Sequence, residues 1–176
     1  SYFGILATLG TDAWGSREIA RDHDRVGEIT VQIVLFRLLF GIVAVIAFTI
    51  LIAAWRPPAT VAYVMVIQMA GVFVAALTVD FAFQGLERMA PAARRNMVSA
   101  LLALIGIQIF MRVEPNILWA AAVFQVAALI AALIMGVEFW RLVGHPGVRL
   151  DWRSAAHMVR ESTPIATTGM VTAVYF

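Results

Sequence analysis

The chain has 176 residues, of which 62% are hydrophobic and 14% charged, with a mean hydropathy of +0.88 and a formal net charge of +2. That is far more apolar surface than a soluble domain of this size needs to bury. With no Cys there is no disulfide framework or thiolate chemistry, and no basic patch interleaved with aromatics suggests a nucleic-acid partner.

Taken in order, the chain opens inside an apolar stretch, SYFGILATLG, which reads as the end of one membrane span over residues 1–16. The polar segment 17–35 follows as a loop. Leu38–Trp55 is then free of charge for 18 residues, Val61–Val79 for 19, Met97–Met111 for 15 and Ile117–Val137 for 21. A bilayer core of about 30 Å takes about 20 helical residues to cross. Three runs meet that length alone, and the third in order meets it with Asn96 and a snorkelling Arg112 drawn in. Barrel strands would be about ten residues long and alternate in polarity. The expectation is an all-α, polytopic transmembrane bundle with spans at about 36–55, 61–83, 95–112 and 117–138. Residues 164–176 start a further span, and the whole reads as an internal piece of a longer protein.

All six Pro fall at the edges of these runs, at 57, 58, 91, 115, 146 and 164, where they mark turns and helix starts. All 13 basic residues are Arg. Only Arg56 and Arg112 lie in the short links RPPAT (56–60) and RVEPN (112–116), and the other 11 lie in the longer connections 17–37, 86–96 and 138–163. The positive-inside rule therefore puts loops 17–35, 86–94 and 139–163 in the cytoplasm. The two short links join antiparallel neighbours.

Four residues stand out as candidates for a binding site. Asp80 and Gln84 are spaced four apart, with Arg88 four further on, and form one stripe if the helix is continuous. An ionisable group in a span is costly and points to function. The competing reading is a plain helix end, with Asp80 near the headgroups and Gly85 as a C-terminal cap. Arg17 is the first charge after an apolar stretch, and Arg37 sits just inside the next span. Arg17 opens a row of guanidinium groups suited to a phosphate, whereas Arg37 reads as snorkelling to lipid headgroups or, in the alternative, pointing into a polar lumen. Arg21 and Arg25 read as a solvated, ion-paired helix face. Gln68, Gln108 and Gln125 lie mid-span, where amides commonly bond between helices, and Gly71–Ala75 is a packing patch. His23, His145 and His157 lie in loops without metal-ligand spacing. No nucleophile elbow or phosphate loop is present, so neither a catalytic residue nor a cofactor is expected.

With these motifs placed, the chain resembles the oligosaccharide flippase (polysaccharide biosynthesis protein) family of the multidrug/oligosaccharidyl-lipid/polysaccharide exporter superfamily. The resemblance rests on YFGILATLGTDAWGSREIARD (2–22), FAFQGLERM (81–89) and PIATTGMVTAVYF (164–176). It implies a two-lobed protein of about twelve to fourteen helices that carries undecaprenyl-pyrophosphate-linked glycans across the bacterial inner membrane by alternating access. This chain would supply part of the N-terminal lobe. Arg17 and then Arg37 would offset the pyrophosphate charge, while Asp80 and Gln84 would shape a gate or bind a coupling ion. Membrane lipids, a glycan polymerase and glycosyltransferases are the implied partners. Family members often carry Trp where Asp80–Phe81 stands, so the resemblance gives Asp80 no role of its own. A drug or cation antiporter would use Asp80 as its embedded acid. A membrane glycosyltransferase or acyltransferase would draw on His145, Asp151 and His157.

Overall fold

A computed structural model describes residues 11–113 and 116–144. Helix α1 (Thr11–Arg21) and a 3-10 turn (His23–Arg25) lead into α2 (Val26–Trp55), followed by α3 (Ala59–Ala76), α4 (Asp80–Gly85), α5 (Ala90–Val113) and α6 (Ile117–Val143). The described residues form no strand. Four stretches are long and apolar enough to cross a membrane: His23–Trp55, Ala59–Gly85, Ala90–Phe110 and Ile117–Val143. The all-α membrane bundle expected from composition is the architecture observed. Residues 1–10 and 164–176, expected as pieces of further spans, and His145, Asp151 and His157 lie outside the described residues.

The local chemistry accounts for where the helices stop. After α2 the chain turns at Arg56, whose backbone is left-handed (φ 50°) and whose N–H donates to the Ile52 carbonyl at 2.9 Å. Pro57 and Pro58 follow, and Pro58 has the fixed φ that precedes the first turn of α3. Asn116 caps α6 by accepting from the Leu118 N–H at 3.0 Å, and Gly144, at φ 80°, ends it. Asp22 caps the 3-10 turn through the Asp24 N–H.

Two expected boundaries are revised. Residues 17–35, read as a loop, are helical for most of their length, because α1 runs to Arg21 and α2 starts at Val26 rather than near 36. Along the start of α2 Val26, Ile29, Thr30, Ile33 and Arg37 are buried, a helical spacing that packs one face inward and leaves Glu28 and Gln32 on the other. The span read as continuous over 61–83 is interrupted at 77–79, between α3 and α4.

The bundle is inverted relative to a soluble protein over much of its length. Ile46, Ile50, Leu104 and Leu133 are all more than half exposed, as suits helices whose surroundings are hydrocarbon. Burial is concentrated where Ile19, Val26, Ile29, Ile33, Val79, Phe81, Ala82, Phe83, Met135 and Phe139 meet at the Arg-rich end. Here α6 contributes Met135 and Phe139, which continue a line of one buried residue per turn from Ala127 and Ala131, and the ring of Phe139 meets Phe83 edge-on at 5.8 Å. Small residues let α6 approach its neighbours closely.

Helix α4 packs on α1 through two glycines. A Cβ on Gly15 would come within 2.7 Å of the buried Phe81 ring and 2.6 Å of Ile33. On Gly85 it would meet the backbone carbonyl of Ser16 at 2.8 Å and the Ile19 side chain at 2.7 Å. The carbonyl cannot move without moving α1. Gly85→Ala is expected to destabilise the protein by about 1–3 kcal/mol, seen as a fall in the melting temperature of detergent-solubilised protein. Gly136→Ala, where nothing lies within 4 Å, serves as the tolerated control.

Candidate functional site

The polar residues of the Arg-rich end are organised around Arg37. Its side chain is only 1% exposed, although the preceding turns of α2 carry it well into the bundle. Nε donates to Thr11 Oγ1 at 2.7 Å and Nη2 to Asp12 Oδ1 at 2.8 Å. Nη1 reaches the Thr78 carbonyl oxygen in a longer contact of 3.5 Å, and the guanidinium carbon lies 4.9 Å from the centre of the Phe81 ring. A buried cation is tolerated only when its charge and its donors are both satisfied, and the planar fork of Arg allows three acceptors at once. The expectation that Arg37 snorkels to headgroups is therefore not met. Its guanidinium is directed inward and joins α1, α2 and the break after α3.

A second ion pair lies beside the first. Arg95, in the second turn of α5, holds Asp80 Oδ2 at 2.9 Å, and both side chains are largely buried. Asp80 is near enough to Asp12 and Arg37 for both charges to act on it. Asp80 Oδ1 and Arg95 Nε are buried without a hydrogen-bond partner among the described residues. The site thus has two alternating pairs, Asp12–Arg37 and Asp80–Arg95, supplied by α1, α2, α4 and α5.

The stripe expected from Asp80, Gln84 and Arg88 does not form. Asp80 turns toward Arg95, Gln84 is exposed, and Arg88 lies beyond the helix end, after Glu87 at φ 57°. Gly85 closes α4 as its last helical residue, with Leu86 as the cap. Gln84 nonetheless shares the short α4 with Asp80. Arg17 is exposed on α1 and makes no ion pair among the described residues, whereas its neighbours do: Arg21 pairs with Glu18 at 3.6 Å and Arg25 with Glu28 at 3.3 Å. Arg94 pairs with Glu138, tying α5 to α6. His23 Nε2 lies 3.4 Å from the Gly85 carbonyl, which accepts from the ring N–H. No group of three His, Cys, Asp or Glu among the described residues is placed to hold a metal ion.

Thr11, Asp12, Thr78 and Arg95 were not singled out by sequence reasoning. Asp12 was the most accessible of them to such reasoning, as a carboxylate next to an apolar run. Its partner is 25 residues away, and no local spacing joins the two.

The comparisons with known proteins bear on the same residues. The family model described as polysaccharide biosynthesis protein matches residues 1–176, the whole chain. The chain belongs to the polysaccharide biosynthesis protein family. No curated protein and no solved structure matches it. Family membership gives the geometry its context: the stretches SREIAR and FQGLE, distant in sequence, meet where Ser16 and Ile19 enclose Gly85.

Removing Asp12 tests the central pair. Asp12→Ala leaves the Arg37 cation buried with one acceptor fewer. The expected loss is about 2–3 kcal/mol, below the ~3–5 of a fully enclosed pair because Asp12 is 42% exposed. Glu18→Ala, which breaks an exposed pair, should leave the melting temperature close to the parent's.

Proposed function

We propose that this membrane protein is part of a transporter that moves lipid-linked, undecaprenyl-pyrophosphate oligosaccharide or polysaccharide repeat units across the bacterial inner membrane. The reading rests on the family match over 1–176, and the observation that carries it to named residues is the packing of α1 on α4. The packed helix α1 carries both Arg17, a cation with no ion pair among the described residues, and Asp12, the acid that holds Arg37.

Translocation proceeds by alternating access. A cytoplasm-facing opening admits the pyrophosphate headgroup while the isoprenoid chain stays among the membrane lipids. Arg17 meets the diphosphate, since a guanidinium binds phosphate oxygens through two parallel hydrogen bonds. Arg37 acts behind it as the second cation of the site, positioned through Asp12. Asp80 and Gln84 shape the cytoplasmic rim, Asp80 through its tie to Arg95. Glycosyltransferases supply the lipid-linked unit and a glycan polymerase consumes it. No step requires covalent chemistry on the protein. A drug or cation antiporter would need an acid free to take up a cation, and the pairing of Asp80 with Arg95 weighs against that use.

The test is glycan display in cells that depend on this protein. Arg17→Ala should reduce surface glycan by about tenfold or more at unchanged protein level, the loss expected for one charge-assisted contact. Arg21→Ala, one turn along the same helix but already paired with Glu18, should display normally. Normal display by the Arg17 variant at parental abundance would sink the assignment.

A further inference from the structure

The interruption between α3 and α4 has neither of the strong local breakers. From Val72 to Gln84 there is no Pro and no Gly, and Thr78, Val79 and Asp80, though weak helix formers, disfavour a helix far less than either would. Yet the helical ladder ends with Leu77 N–H on the Phe73 carbonyl at 3.1 Å, tightens to Thr78 N–H on Ala75 at 3.2 Å, and restarts from the Val79 carbonyl. Sharp breaks of this kind without Pro or Gly arise where a side chain enters the ladder. Arg37 is that side chain, with Nη1 directed at the Thr78 carbonyl, while the Thr78 hydroxyl donates back to Ala75 at 2.7 Å. Just past the break, Arg95 fastens Asp80, the first residue of α4. Two arginines from two neighbouring helices therefore hold open a segment that no Pro or Gly bars from a continuous helix.

A segment that can close its own helical ladder, but is held open by side chains from its neighbours, has two arrangements available to it. We infer that residues 77–79 are a switchable hinge, kept broken by the Arg37 latch and straightened into a continuous helix over 59–85 when the latch is released. Asp12 is the member of the latch that solvent reaches, being 42% exposed while Arg37 is enclosed. A solute that competes for Asp12 or for its partner therefore acts on the hinge. Straightening swings α4 and draws Gly85 away from Ser16 and Ile19, opening the seam between α1 and α4. The lost Arg37–Thr78 contact is replaced by ordinary helical bonds, so the change leaves no carbonyl unsatisfied.

The test measures a distance across the hinge in the full-length protein, reconstituted in lipid nanodiscs. Spin labels are placed through Val66→Cys on α3 and Gln84→Cys on α4, both exposed positions. In Arg37→Gln the distance is expected to move toward that of a continuous helix, about 27 Å along the axis between 66 and 84. Asp12→Asn, which weakens the latch without emptying the site, should show the same component as a partial population. This second variant decides the matter if Arg37→Gln does not fold. A parent distribution already centred at the continuous-helix value, or variant distributions that superimpose on the parent's, would overturn the hinge. The readout is conformational, so it stands or falls separately from glycan transport.

Discussion

A single guanidinium, that of Arg37, is the constraint around which the rest of the described structure is arranged. It is enclosed in a part of the bundle otherwise built from Phe, Ile and Val, and its donors are met by α1 and by a backbone carbonyl freed at the end of α3. Such a group adds little net stability compared with an apolar side chain of similar size. What it does is tie α1 to α2, since packing that moved Thr11 and Asp12 away would strand a charge, while its longer contact to Thr78 is the one that can be given up. The short α4, the seating of Phe81 under Gly15 and the placement of Arg17 all follow from that one arrangement.

Those parts of the fold that depend on length and polarity could be read from the sequence, and those that depend on long-range partners could not. The charge-free runs gave the spans because a bilayer asks for a fixed length of apolar helix. The start of α2 was legible as well, in the spacing of Val26, Ile29, Thr30, Ile33 and Arg37, but Glu28 and Gln32 on the opposite face gave the segment the polarity of a loop. The break at 77–79 was not legible, because its cause lies at position 37. The same limit applied to the site. Asp80 and Arg37 were recognisable as ionisable groups in apolar surroundings, but their partners Arg95 and Asp12 lie on other helices at separations that carry no periodic signal.

Two of the three sequence stretches that carried the family resemblance form a single structural unit. The Gly-rich approach to REIAR supplies Gly15, where the Phe81 ring lies flush against α1, and FQGLE supplies Gly85, where the Ser16 carbonyl does the same against α4. In each stretch the residue that makes contact possible is the one without a side chain. The charged residues around them set what the contact holds in place. A motif of this kind records a backbone-to-backbone distance as much as a chemical group, which is why neither stretch is informative without the other.

The amides of Gln68 and Gln125 give the opposite half of the bundle a different mechanical character. They lie at matching depth, each a little over two turns from the start of its helix, and Gln125 donates to Gln68 across a gap that Gly71 keeps narrow. In hydrocarbon this bond meets no water to exchange with, and sliding α3 by one turn would leave both amides facing lipid. Helices α3 and α6 are thus keyed together upstream of the interruption, while α4 beyond it is held by side chains that can let go. The span behaves as a fixed upper shaft with a movable foot, and displacement at the Arg-rich end need not disturb the far side of the membrane.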